Sequence, residues 1–134
     1  MKYIKIALGC LNTMIGYWLG GLDEMLISLF LFMFCDYLSG VIKAIVKKKL
    51  SSEVGFEGIL KKGVILIIVA ISVRLDILLN QGELFRYLVI GFYLANEGIS
   101  ILENIGEIGL KYPKKIKDAL VQLNKDDEDD EGGE

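Results

Sequence analysis

The sequence predicts an all-α membrane protein: four transmembrane helices, a short C-terminal amphipathic helix and a disordered acidic tail. Three observations carry that prediction. Hydrophobic residues make up 53% of the 134-residue chain and mean hydropathy is +0.48, more apolar than the roughly 45–50% of a soluble domain. The apolar residues fall in long blocks rather than in single stripes. The lysines fall in alternate connections between those blocks. A soluble four-helix bundle needs one apolar stripe per helix, whereas Met25–Cys35 and Gly63–Val73 are apolar on every side. A chain of this size has no outer layer with which to enclose them. A barrel needs alternation, and the block from Val64 to Ile71 does not alternate.

The first segment, Ile6–Leu22, is 17 residues without a charge, at the short end of the ~17–25 that cross a ~30 Å hydrocarbon core. Its lysines, Lys2 and Lys5, also suit a secretory signal, but no A-x-A-like cleavage site precedes Asp23. Gly16 and Gly20 form a Gly-x-x-x-Gly pair, expected to admit close helix packing. Tyr17 and Trp18 suit an aromatic belt. The second segment, Met25–Ile42, contains Asp36 and Gly40. The third, Gly63–Leu79, contains Arg74 and Asp76, expected at the interface. The fourth, Tyr87–Leu102, contains Asn96 and Glu97. Beyond Pro113, Ile116, Leu120 and Leu123 share one face of a short helix, suited to a membrane surface or else a frayed linker. Seven of the 18 acids lie in residues 126–134, too charged to fold. The domains expected are therefore 1–110, four-span; 111–125, cytoplasmic amphipathic helix; and 126–134, disordered tail.

Charge placement supplies orientation. Without the tail the chain carries 15 basic against 11 acidic residues, and 13 of the 15 lie in the N-terminal stub, the connection 43–62 and the C-terminal region. The positive-inside rule puts these in the cytoplasm. Both termini are then cytoplasmic, with Lys47, Lys48, Lys49, Lys61, Lys62, Lys114 and Lys115 forming a basic inner surface.

Charges at membrane depth cost about 2.5–3.5 kcal/mol each on insertion scales, so each retained one needs a partner or water. Asp36, Ser39, Gly40 and Lys43 share one face of the second helix. Asn96, Ser100, Glu103 and Glu107 make a line on the fourth, with Glu97 and Asn104 beside it. Interhelical glue, a wet lumen in an oligomer and an ion relay all fit this pattern. Arg74 is a candidate partner for Asp36 or Glu97. Gly40 joins Gly16 and Gly20 as a packing candidate. Cys10 and Cys35 are read as small apolar fillers. No histidine is present, and no catalytic constellation, metal-ligand spacing or cofactor loop is visible. Neither an enzyme nor a nucleic-acid binder is expected.

Four stretches carry a family resemblance. Asp36-Tyr37-Leu38-Ser39-Gly40 with Lys43-Ala44-Ile45 resembles the second-span motif of the toxin-secretion/phage-lysis holin family. Leu50 to Lys62 resembles its inter-span loop, Asn96 to Asn104 its most distinctive stretch, and Gly109 to Leu120 its closing segment. The resemblance covers about residues 30–120. It implies a phage or prophage holin: a multi-pass protein of the host bacterial inner membrane that gathers there as a homo-oligomer among membrane lipids. It would then open timed lesions that release an endolysin or export a toxin. A small four-helix ion or multidrug transporter is the alternative from another class, and a membrane anchor is a third.

Overall fold

Turn residues cut the chain into helices. Helix α1 (Lys2–Leu19) ends where Gly20 and Gly21 take φ angles of 82° and 109°, values glycine adopts without a Cβ clash. The Asp23 carboxylate accepts from the Leu26 backbone N–H at 3.0 Å and starts α2 (Glu24–Val46). The Ser51 hydroxyl accepts from Val54 N–H at 3.5 Å and starts α3 (Ser52–Leu79), which closes on left-handed Asn80. Helix α4 (Leu84–Ile108) stops at Gly109, and α5 (Lys114–Glu131) follows Pro113. This computed structural model describes the backbone of residues 1–131 and the side chains of residues 1–124.

The all-α expectation holds, with five helices among the described residues. One of them, α2, is long and apolar enough to cross a bilayer by length and composition. Polar residues keep the others short of that measure: Lys2, Lys5 and Asn12 in α1, Lys62, Arg74 and Asp76 in α3, and Arg86, Asn96 and Glu97 in α4. The expected connection 43–62 shrinks to residues 47–51, because lysines do not break helices and the first cap is Ser51.

The core is narrow. Leu26, Leu29 and Met33 of α2 meet Ile65 and Val69 of α3 and Ile90 and Leu94 of α4. Outside it the apolar surface is open: Leu31 and Phe34 of α2 and Ile67 and Ile71 of α3 are all exposed. Helix α1 buries no residue, and Leu8, Leu11 and Met14 are exposed along it.

Helix α5 folds back on α4. Leu120 is buried, and a Cβ added at Gly98 would lie 2.6 Å from its Cδ2. The amphipathic face expected on lipid is thus divided: Leu120 packs on α4 while Ile116 and Leu123 stay exposed. The helix also continues through 126–131, where disorder was expected, since the first breakers in the sequence are Gly132 and Gly133. The rest of the expected tail, residues 132–134, lies outside the described residues.

Candidate functional site

Two polar layers cap the apolar core, one at each end. In the lysine-rich layer, Lys62 of α3 reaches between α2 and α4. Its Nζ donates to Asp36 Oδ2 at 2.7 Å and to Glu97 Oε2 at 2.5 Å. The three side chains are only 15, 16 and 11% exposed. Asn104 Nδ2 donates to Ser39 Oγ at 2.9 Å and to Asp36 Oδ1 at 3.3 Å. Ser39 Oγ in turn donates to the Asp36 carbonyl at 3.0 Å. Gly40 lies beside this contact, and a Cβ there would meet Asn104 Nδ2 at 3.7 Å, an ordinary packing distance. Three helices are therefore tied by one ammonium shared between two carboxylates.

Farther out, Glu107 sits 3.5 Å from Lys43 Nζ and 3.7 Å from Lys47 Nζ. These contacts border a cleft of about 590 Å³ between the ends of α2, α3 and α4, floored by Asp36, Lys62 and Glu97. Tyr37 closes one side against α3, where a Cβ at Gly55 would lie 3.2 Å from its hydroxyl.

At the opposite end the organiser is Arg86, 1% exposed. Its guanidinium donates to both Asp23 carboxylate oxygens, at 2.6 and 3.0 Å. It also donates to the Leu19 and Gly21 carbonyls, at 2.7 and 2.9 Å, which α1 leaves without helical partners. Asp76 accepts from the backbone N–H groups of Phe85 and Arg86, at 2.8 and 2.9 Å, capping α4 from a neighbouring helix. The Arg86 hydrogen bonds hold the Asp23 carboxyl below its ordinary pKa. Arg74 lies over Tyr17, 4.4 Å from the ring centroid.

Several expected roles change. Lys62 belongs to the buried triad, not to the inner surface, because the helical start of α3 turns it inward. Arg74 pairs with neither Asp36 nor Glu97, since it stacks on α1 at the other end. Asp76 is buried, not interfacial. The polar face of α4 is Glu97, Ser100, Asn104 and Glu107. Asn96 lies beside it, and Glu103 is exposed. Gly16 meets nothing within 4 Å, and Gly20 serves as the α1 cap beneath Arg86. Lys61 pairs with Glu57 at 2.8 Å on the surface. Lys48 holds a φ of 54° in the turn after α2, and Lys114 and Lys115 are exposed at the start of α5. Sequence reading missed Arg86 as a structural centre. Its signal was a lone arginine, accompanied by Glu83, in the connection before the fourth segment.

The sequence is similar to those of known proteins. The bacteriophage holin family matches residues 13–125. An uncharacterized 14.9 kDa protein of Clostridium perfringens is 47% identical over 125 residues, 92% of this chain and 95% of the relative. An uncharacterized protein of Listeria innocua is 39% identical over 128 residues, 96% of this chain and 91% of its own length. A probable holin of Bacillus phage phi105 is 33% identical over 93 residues, 69% of each chain. No solved structure matches.

Proposed function

The chain belongs to the bacteriophage holin family, and from that premise we propose that it gathers as a homo-oligomer in the bacterial inner membrane and opens timed lesions there. The lesions would let an endolysin or an exported toxin pass. Membership in the family carries membrane localisation. The proposed topology is four crossings by α1–α4 with both termini in the cytoplasm, supported by the lysine distribution and by the open apolar surface of the bundle.

The observation that carries this reading is the Asp36–Lys62–Glu97 triad, set between helices whose outer faces are apolar. While protomers accumulate, the shared ammonium and the Asn104–Ser39 contact satisfy polar groups that hydrocarbon would otherwise penalise. The two polar layers also lie close together. At 1.5 Å per helical residue, Glu97 and Arg86 are about 16 Å apart along α4, and Lys62 and Asp76 about 21 Å apart along α3. Both spacings fall short of a ~30 Å core. A mismatch of that kind favours bilayer thinning and association. Clustered protomers that part α3 from α2 and α4 would turn the triad toward water, giving a lesion a polar lining.

The test is induction of the full chain in bacterial cells, following entry of a large dye. A lag followed by abrupt permeability is expected, and Asp36→Leu or Glu97→Leu should change its timing or abolish it. Unchanged timing at normal protein level would refute the reading. Substrate-dependent growth without permeability to large solutes would indicate a transporter instead.

A further inference from the structure

The cleft at the lysine-rich end has features the lesion reading does not use. Lys43, Lys47, Lys49 and Lys61 stand around it; Glu107 lies near Lys43 and Lys47, and Glu57 pairs with Lys61 at 2.8 Å. The floor is already engaged, with Lys62 shared by Asp36 and Glu97. Five lysines therefore meet four carboxylates, Asp36, Glu57, Glu97 and Glu107, and the remaining positive charge favours an anion over a cation. Glu107 holds Lys43 and Lys47 only loosely, at 3.5 and 3.7 Å, so an entering anion can draw either ammonium away from it.

The walls decide which anion. Val41, Val54 and Ile65 line the same space. Leu50 and Val54 stand at its mouth with 62 and 68% of their surface exposed. A free phosphate would leave these side chains in water. A phospholipid would satisfy both parts, its headgroup among the lysines and its acyl chain along Leu50 and Val54. Basic pockets between membrane helices on the cytoplasmic side hold anionic headgroups by this division of labour.

We propose that the cleft between the lysine-rich ends of α2, α3 and α4 is a binding site for one anionic phospholipid of the inner leaflet. Its phosphate sits between Lys47, Lys49 and Lys61, directly above the triad. The inference rests on the membrane placement of α2–α4 and not on lesion formation. It makes the lipid a brace, because a headgroup bridging α2 and α3 opposes the separation that would expose the triad.

The experiment uses the full chain in a non-ionic detergent. Short-chain phosphatidylglycerol, short-chain phosphatidylcholine and inorganic phosphate are titrated in turn, with bound lipid counted by native mass spectrometry. One phosphatidylglycerol per chain is expected, with phosphatidylcholine not retained and phosphate failing to compete. Lys47→Gln/Lys49→Gln/Lys61→Gln should weaken binding about fivefold per lysine, roughly 100-fold together. Lys114→Gln/Lys115→Gln/Lys117→Gln removes the same charge from α5 and should leave binding unchanged. Equal losses in the two triple variants would mean diffuse attraction and overturn the site. Equal retention of phosphatidylcholine, or full competition by phosphate, would overturn the lipid assignment. A chain that binds phosphatidylglycerol but never permeabilises cells would end the lesion reading and leave this one standing.

Discussion

Replacing Lys62 with methionine is the most direct probe of the triad. Methionine keeps most of the length and apolar stem of lysine while removing the charge. What remains is Asp36 and Glu97, 16 and 11% exposed, facing each other with no cation between them. Removing one partner from a buried ion pair costs about 3–5 kcal/mol. Partial exposure to the cleft favours the lower figure, about 3 kcal/mol, which is roughly a 100-fold drop in the ratio of packed to open helices. Lys62→Met should therefore permeabilise cells earlier than the natural chain at matched protein level. Lys62→Met/Glu97→Gln leaves one carboxylate, held by Asn104, and should return most of the delay. Equal timing of Lys62→Met and the natural chain would refute the reasoning. So would a double variant as early as the single one, since the effect would then come from lost packing rather than uncompensated charge.

The other predictions concern the opposite end of the bundle and are read by thermal unfolding in detergent. Arg86→Gln removes a buried fork and leaves Asp23 and two carbonyls without it, costing about 3 kcal/mol; Arg86→Lys should recover little of this, because an ammonium cannot reproduce the planar bidentate contact, and a melting point equal to the natural chain would contradict the assignment. Gly20→Ala places a Cβ 2.5 Å from Arg86 Nε at a φ of 82°, so it should lower the melting point more than Gly109→Ala, where φ is 98° but nothing lies within 4 Å; equal shifts would show that the contact with Arg86 does not matter. The Asp23 carboxyl is held below its ordinary value of 3.8 by Arg86, so its contribution is present above that value and lost as pH falls through the lower folded one. Asp23→Asn should accordingly flatten the fall in melting point in that acid range, and an unaltered pH profile would exclude the linkage.

What could be read from the sequence, and what could not, follows from how each feature is encoded. The helices were legible because their apolar blocks are local. Asp36 and Glu97 were legible as costly charges for the same reason. Their partner was not. Lys62 comes from a third helix, and only the register of α3 against the other two brings it to them. It was assigned to a connection because lysine density resembles a loop when the Ser51 cap is overlooked. The polar line on α4 was placed one residue off, through Asn96 and Glu103 instead of Glu97 and Asn104. Neighbouring residues on a helix point about 100° apart, so the choice depends on where α2 lies. The Gly16–Gly20 spacing fits close packing equally well, but Gly20 is needed as a cap and Gly16 faces no helix.

The two polar layers hold different parts of the molecule, and this bears on how the bundle could open. Lys62 ties α3 to α2 and α4. Arg86 ties α4 to the α1–α2 turn through Leu19, Gly21 and Asp23, and Arg74 adds a stacking contact from α3 to Tyr17 and Trp18. Helix α1 buries no residue, so beyond its C-terminal turn little more than apolar contact with α3 restrains it. A helix held mainly at one end can swing while the rest stays packed, which leaves the lateral face of α3 accessible to a second copy. The triad at the other end would remain closed during that exchange, because its hydrogen bonds run among α2, α3 and α4. In the proposed mechanism association and opening would then be separable: the first would require only that α1 move, and the second that α3 leave Asp36 and Glu97.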